Sequence, residues 1–240
     1  MLQDVIDRST VTKKIAIVSS SDELNEFLRH LLTHWKFELH RPDHPEVLLL
    51  AEEGQATPLP GQRAIWMTRS RYQGADRLNV PITFEALWQK LEHRFHRPPR
   101  THIRMNVEMS ALVTVNDSTV SARLRSLSDM GCRFSYHREL VRDQSVVISL
   151  TLDGEEMRID SRVIYAVPGR EEAGAFTVGL LFRGIDKKQR DRLRSFLIWR
   201  YLEKVRAKMD GYRFRTALGY FDLPDFVLER LGAPEVAAGE

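Results

Sequence analysis

A basic segment near the middle of the chain has residue types that could bind an anionic ligand. From Arg94 to Arg104 the sequence reads RFHRPPRTHIR, with four arginines, two histidines and no acidic residue. The planar guanidinium group can hold a phosphate, or the O6 and N7 atoms of guanine, with two hydrogen bonds, and it can stack on a base. Most basic segments are simply solvated, so the surrounding residues must decide between a ligand site and an ordinary exposed surface.

A predicted turn further along the chain supplies a second set of polar groups. Ser126, Ser128 and Gly131 lie in the segment SLSDMG between two predicted strands. Ser128 could donate a hydrogen bond to a ligand or to the backbone, while Gly131 could adopt a positive φ or allow a close backbone approach. We expect Asp129, on the same turn, to point elsewhere. The candidate ligand-binding residues are Arg97, Arg100, Arg104, Ser126, Ser128 and Gly131.

The elements that must position these residues follow from the hydrophobic periodicity. From Ile103 onward apolar and polar residues alternate, which predicts half-buried strands. Asp153-Gly154 is a strong hairpin signal between two of them. The strands are predicted at 103–109, 111–115, 120–127, 132–136, 145–152, 157–167 and 176–182. Such short strands predict a small antiparallel β-barrel or sandwich, and the helical period after Gly184 predicts a long helix that closes the barrel or packs on the other domain.

The N-terminal part of the chain has a different pattern, in which strands alternate with helices. Strands are predicted at 13–19, 37–40, 46–51 and 63–67. Ser20 and Glu23 have the spacing of a capping box and predict a helix start, and a second helix is predicted from Phe84 to Phe95. This order predicts an α/β domain with a parallel sheet.

The barrel region resembles a PilZ domain, the cyclic di-GMP receptor family. Arg100 and Arg104 have the family's Arg-x-x-x-Arg spacing, SLSDMG stands where the family has Asp/Asn-x-Ser-x-x-Gly, and Gly179-Leu180-Leu181-Phe182 matches its Gly-hydrophobic-x-Phe strand. The resemblance implies a receptor rather than an enzyme, in a family associated with motility, biofilm and polysaccharide export. Ser126 departs from the pattern, because an Asp there can accept two hydrogen bonds from guanine. Losing that contact costs about 1–3 kcal/mol, or roughly ten- to a hundredfold in affinity.

The N-terminal domain resembles the receiver domain of two-component systems, but without its chemistry. The segment VPITFEALWQKLE is similar to a receiver's last strand and helix, and Thr68 stands where the family has Ser or Thr. Ser19 to Ser21 replace the paired acids, Ala51-Glu52 replaces the phospho-accepting Asp, and Val80 replaces the Lys. We therefore predict a degenerate receiver-like domain that cannot accept phosphate, with an unrelated small α/β domain as the alternative.

Composition limits the remaining classes of function. The chain has 240 residues, 42% hydrophobic and 29% charged, with a formal net charge of +3. This suits two globular domains, and no run approaches the ~20 apolar residues of a membrane span. The N-terminus lacks an export pattern, so we expect a cytoplasmic protein with no membrane insertion. The single Cys132 excludes an intramolecular disulfide, and His30 and His34 lack a third ligand. We predict no metal, no cofactor and no catalytic site.

The sequence therefore predicts an α+β two-domain protein. Its parts are a receiver-like α/β domain at 1–93, a PilZ-like antiparallel β-barrel with a long following helix at 94–205, and a C-terminal extension at 206–240. Asp222 could cap a short helix that ends at Gly232, and the extension could dock a partner or cover exposed core.

Three functional hypotheses follow from this organisation. The first is a cyclic di-GMP receptor that relays the second-messenger level to an unidentified protein partner by interdomain rearrangement. The alternative is a ligand-independent adaptor with a decayed nucleotide pocket. Nucleic-acid binding is disfavoured, because the basic segment offers only Phe95 for stacking on bases. Whether the protein forms a homodimer stays open.

Overall fold

The computed structural model of the chain describes residues 12–70, 74–169 and 175–232. Their contacts divide them into two units, one drawn from 1–101 and 198–240 and the other from 102–197. The first unit contains a parallel sheet with helices, and the second contains a closed antiparallel barrel. The predicted α+β two-domain fold class is confirmed. No helix in the described ranges is both long and apolar enough to span a membrane.

The first unit is built on a five-stranded parallel sheet in the order β2-β1-β3-β4-β5. Its elements are β1 (Lys14–Val18), α1 (Asp22–His34), β2 (Glu38–Leu39), β3 (Leu48–Glu52), β4 (Ala64–Thr68), β5 (Arg77–Asn79) and α2 (Phe84–Phe95). This is the flavodoxin-like order of doubly wound folds. The apolar run LLLA of β3 is fully buried, as expected for a central parallel strand covered on both faces. Within the described residues the links from β2 to β5 contain no helix.

The start of α1 differs from the prediction by one residue. Ser21 is the N-cap, and its hydroxyl accepts a hydrogen bond from the Leu24 amide at 3.1 Å. The predicted cap at Ser20 is wrong, because the Ser20 hydroxyl donates to the Glu52 carboxylate instead. The predicted bounds of α2 are confirmed.

The C-terminal part of the chain completes the core of the first unit. It forms α3 (Lys187–Arg206), α4 (Gly211–Leu218) and α5 (Asp225–Leu231). The Phe27 ring lies 6.0 Å from Phe214 and 4.8 Å from Phe221, and Trp35 lies 6.0 Å from Tyr201. Of the two roles that the sequence left open for this extension, the structure shows the covering of core.

The short last helix, α5, differs from the prediction at its start. It begins after Pro224 without a side-chain cap, so the prediction that Asp222 caps it is wrong. Its end is as predicted: Gly232 adopts the left-handed conformation, with φ of 60°.

The second unit is a six-stranded barrel closed in the order β10-β11-β8-β7-β6-β9. Its strands are β6 (Arg104–Val115), β7 (Ser118–Ser128), β8 (Gly131–Tyr136), β9 (Ser145–Leu152), β10 (Glu155–Pro168) and β11 (Phe176–Phe182). The β9–β10 turn is Asp153-Gly154, with positive φ at both residues, as in a type I′ hairpin. The two strands predicted at 103–109 and 111–115 are one strand, β6, with a register shift against β7 between Asn106 and Met109. Closure of the sheet leaves no exposed edge to pair with another chain.

Candidate ligand-binding site

The three candidate arginines of the basic segment come just before the first barrel strand or at its first residue. Arg97 and Arg100 are exposed, and neither has a hydrogen-bond or ion-pair partner among the described residues. Arg104 is the exposed first residue of β6, and its cross-strand partner on β7 is Ser128. By their contacts Arg97 and Arg100 belong to the first unit and Arg104 to the second. The structure thus brings Arg104 beside Ser128 and leaves two unpaired guanidinium groups on the preceding segment.

Ser128 and Gly131 hold the β7–β8 connection together. The Ser128 hydroxyl donates to the Gly131 carbonyl oxygen at 3.0 Å and accepts from the Met130 amide at 3.4 Å. Of the two hydrogen-bonding roles expected for Ser128, the structure shows the one with the backbone. A Cβ atom on Gly131 would lie 2.2 Å from the Leu180 carbonyl oxygen, so this glycine permits a close approach of β8 and β11.

Ser126 is positioned by a β-bulge in β7. Opposite β8, Leu124 pairs with Phe134 and Ser126 with Arg133, so Arg125 is an extra residue. Leu124 and Leu127 are both fully buried, although they are three positions apart along the strand and regular alternation would put them on opposite faces. The bulge therefore turns Ser126 to the outer face of the barrel. The Ser126 side chain is nonetheless only 1% exposed, and its hydroxyl has no hydrogen-bond partner in the described part of the chain.

A row of cross-strand partners runs across the outer face of the barrel through Ser126. We call it the outer row; it consists of Asn106, Ser126, Arg133, Gly179 and Tyr165. A Cβ on Gly179 would lie 2.4 Å from a Tyr165 ring carbon, so the ring covers the glycine. The sequence analysis missed Asn106, Arg133 and Tyr165, because only the register and the bulges bring them into line.

Asp129 is the buried centre of an ion-pair cluster. Its side chain is 3% exposed, and Oδ2 accepts a hydrogen bond from Arg194 Nε on α3 at 2.6 Å. His102 Nδ1 lies 2.9 Å from Asp129 Oδ1. His102 stands between Arg100 and Arg104 in the basic segment, residues 94–104, which is called the arginine segment below. Asp129 therefore connects a residue of this segment to Arg194 on α3. Sequence reasoning missed His102 and Arg194, since no short-range pattern links them to Asp129.

In the first unit the carboxyl end of the parallel sheet is occupied by the chain's own hydrogen bonds. Glu52 Oε2 accepts from the Ser20 hydroxyl at 2.7 Å, the Ser20 amide at 2.9 Å and the Ser19 hydroxyl at 3.0 Å. These bonds, the Ser20 hydroxyl foremost, lower the pKa of the Glu52 carboxyl from its ordinary value. The Thr68 hydroxyl similarly donates to Glu53 at 2.6 Å. The receiver-like origin of this unit remains a prediction.

Two further groups of residues bear on cofactor chemistry. Within the ranges 12–70, 74–169 and 175–232, no three His, Cys, Asp or Glu side chains cluster so as to hold a metal ion. Cys132 is a buried free thiol, and burial raises its pKa above the ordinary value. A thiol that stays protonated is a poor nucleophile and metal ligand, so Cys132 is a core residue.

Comparison with solved structures returned several proteins of low sequence identity. The PilZ domain of CeSA from a cellulose-synthesizing bacterium is 21% identical, with a TM-score of 0.33, over 40% of this chain and 95% of that one. The Bacillus subtilis inhibitor of motility MotI/DgrA is 14% identical, with a TM-score of 0.40, over 44% of this chain and 52% of its own. Escherichia coli YcgR, in complex with c-di-GMP, is 16% identical, with a TM-score of 0.37, over 45% of this chain and 48% of its own. The matches thus span about half of the last two proteins.

Family comparison gives the assignment of the barrel region. No curated protein sequence matches the chain. The family model described as "PilZ domain" matches residues 98–199, which begin within the arginine segment and end in α3. The resemblance inferred from the three motifs is thereby confirmed, and residues 98–199 of this chain are a PilZ domain.

Proposed function

We propose that this protein is a cyclic di-GMP receptor, not an enzyme, and that it relays the level of the second messenger to a protein partner. The observation that carries the proposal is the state of the arginines in this PilZ domain. Arg97 and Arg100 are exposed without a partner among the described residues, and Arg104 lies beside Ser128 on the barrel. The exposed guanidinium groups of Arg97 and Arg100 are free to bind a ligand with two phosphodiester groups and two guanine bases.

The two parts of the proposed site have different mechanical roles. The barrel is rigid, because Ser128 and Gly131 hold β7 and β8 in fixed register and β11 packs tightly on Gly131. The segment with Arg97 and Arg100 supplies the charges and closes over the ligand. A ligand shifts a conformational equilibrium only by its differential affinity, so this segment must be less ordered in the empty state.

The ion-pair cluster of Asp129 offers a route for the relay. His102 lies within the arginine segment, and Asp129 joins it to Arg194 on α3. Helix α3 continues without a break to Arg206, and its residues from Ile198 onward belong to the first unit. We infer that ordering of the arginine segment is passed through His102, Asp129 and Arg194 to α3, and that interdomain rearrangement follows.

Calorimetric titration with cyclic di-GMP tests the receptor function. The wild-type protein should bind the ligand, and the double variant Arg100→Ala/Arg104→Ala should bind it at least about thirtyfold more weakly, since each of the two bidentate contacts contributes about 1–3 kcal/mol. The matched control is Arg138→Ala/Arg158→Ala, which removes two exposed arginines elsewhere on the barrel. This control should bind like the wild type.

The same titration separates the receptor from a ligand-independent adaptor. Ser126 favours the adaptor, because it lacks the acid or amide that the PilZ pattern has at this position. No heat of binding from a folded wild-type protein would reject the receptor and leave the adaptor. Normal binding by the Arg100→Ala/Arg104→Ala variant would instead reject this placement of the site.

A further inference from the structure

The outer row surrounds Ser126 with two longer polar side chains. Asn106 pairs with Ser126 on one side and Arg133 on the other, so each lies one strand spacing away, about 4.8 Å. Asn106 is exposed and Arg133 half-buried, and neither has a hydrogen-bond or ion-pair partner among the described residues. Ser126 is thus a short residue between two longer polar side chains that have no partner among the described residues and lie on the same face of the barrel.

Ser126 itself indicates that this position is incomplete without a ligand. Its hydroxyl is buried and has no hydrogen-bond partner in the described ranges, although most buried polar groups in native proteins are paired. A buried hydroxyl without a hydrogen-bond partner destabilises the protein, and a hydrogen bond to a ligand removes that cost. The missing partner of the Ser126 hydroxyl is an observation independent of the flanking side chains Asn106 and Arg133.

We propose that Asn106 and Arg133 together recognise a guanine base in place of the acid missing at position 126. The inference rests on the proposed function and names the guanine-reading residues of that site. The Asn106 carbonyl oxygen accepts a hydrogen bond from guanine N1 or N2, and its amide group donates to O6. The Arg133 fork donates to O6 and N7, the most frequent specific contact of arginine with guanine. The base spans Asn106 and Arg133 across the short Ser126 side chain, because the other short residue of the row, Gly179, is covered by the Tyr165 ring.

A pair of single variants tests the proposal. Asn106→Ala and Arg133→Ala should each weaken cyclic di-GMP binding by roughly ten- to a hundredfold. Ser110→Ala, on the same strand and exposed, and Arg138→Ala, in the loop beyond β8, are the matched controls and should leave the affinity unchanged. Far-UV circular dichroism and the melting temperature establish that every variant is folded.

A compensating substitution makes the test specific to guanine reading. Ser126→Asn in the Asn106→Ala background places an amide one strand away and should restore most of the lost affinity. Cyclic di-AMP, whose adenines present an amino donor where guanine presents O6, is the reference ligand. The preference for cyclic di-GMP over cyclic di-AMP should fall in the Asn106→Ala/Arg133→Ala variant.

The outcomes separate this inference from the receptor function. If the wild type binds cyclic di-GMP and both single variants bind equally well, Asn106 and Arg133 do not read guanine and the receptor function stands. Weakened binding without rescue by Ser126→Asn, and with unchanged selectivity, would also overturn the inference. A folded wild-type protein that binds no cyclic di-GMP would overturn both proposals.

Discussion

At the scale of single residues, the motif SLSDMG contains residues with structural roles and one residue, Ser126, that belongs to the proposed ligand site. Ser128 hydrogen-bonds to the backbone, and Gly131 lies against the backbone of β11. Asp129 Oδ2 accepts a hydrogen bond from Arg194, and Asp129 Oδ1 lies 2.9 Å from His102 Nδ1. Ser126 is the polar residue of this turn whose side chain has no hydrogen-bond partner in the described structure. The motif therefore acts mainly by holding β7 and β8 in place, and Ser126 is its position that faces the proposed ligand.

Gly131 illustrates the structural part, and its replacement should destabilise the protein. In Gly131→Ala the new methyl group would lie 2.2 Å from the Leu180 carbonyl oxygen, which is backbone and cannot move aside cheaply. We expect a loss of about 2–3 kcal/mol in the free energy of unfolding. Urea unfolding followed by far-UV circular dichroism measures it.

The control for this prediction is a glycine with free space around it. A Cβ on Gly211 would come no nearer than 3.8 Å to another atom, the end of the Arg215 side chain. Gly211→Ala should be neutral or slightly stabilising, because it mainly restricts the unfolded chain. Equal stability of Gly131→Ala and the wild type would show that β8 and β11 can separate without cost.

At the scale of secondary-structure elements, bulges decide which residues share a face of the barrel. If Arg125 were a regular paired residue rather than a bulged one, strict alternation would place Ser126 on the same side as the buried Leu124. A second bulge, at Ile164 in β10, precedes the pairing of Tyr165 with Gly179. The outer row exists because these strands depart from perfect alternation, as bulged strands near binding sites often do.

The strand ends of the parallel sheet give a pH-dependent prediction. The Ser20 hydroxyl is the foremost cause of the lowered pKa of Glu52, so Ser20→Ala should raise that pKa toward its ordinary value. A carboxyl whose pKa is lowered by folding stabilises the protein above its unfolded-state pKa, and this stabilisation is lost as the pH falls through the folded-state pKa. The wild type should therefore exceed Ser20→Ala by about 1 kcal/mol at pH 7, and the difference should vanish in acid.

Thermal unfolding between neutral and acidic pH measures this difference. Thr57→Ala is the control, because Thr57 is exposed and has no partner among the described residues. It should differ from the wild type by the same small amount at every pH. A Ser20→Ala difference that does not depend on pH would mean that Glu52 is not the group responsible.

At the scale of the whole molecule, the order of the chain does not match the order of the units. The first unit is completed by residues from 198 onward, whose aromatic side chains Tyr201, Phe214 and Phe221 pack on α1. The barrel is therefore inserted between two segments of one unit, and α3 contributes residues to both. The proposed relay uses α3 because its residues belong to both units.

The proposed relay predicts a ligand-dependent change in α3. Cyclic di-GMP should alter amide hydrogen exchange at residues 198–206 in the wild type. Arg194→Met removes the guanidinium group from Asp129, so it should retain most of the ligand affinity and lose most of this exchange change. Lys188→Met, an exposed change on the same helix, should behave like the wild type. An unchanged response in Arg194→Met would exclude Arg194 from the relay.

Much of the fold could be predicted because its signals are local. The alternation of β6 to β11, the hairpin at Asp153-Gly154 and the bounds of α2 all follow from residues near one another in the chain. Helix α4 was not predicted, although Asp210 caps it with hydrogen bonds from the Tyr212 and Arg213 amides. Its role became visible only in the packing of Phe214 on Phe27, which lie far apart in sequence.

The sequence by itself determined the family of the barrel and the arginines that precede it. Each motif consists of residues close together in the sequence, so Arg100, Arg104 and the SLSDMG turn could be recognised from their spacing without coordinates. The tertiary structure decided which residues lie next to Asp129, Asn106 and Arg133. Strand register and a one-residue bulge place Asn106 and Arg133 beside Ser126, and helix α3 brings Arg194 to Asp129. These are pairings between distant segments, and the free energy that selects them comes from packing of the whole barrel rather than from any local pattern.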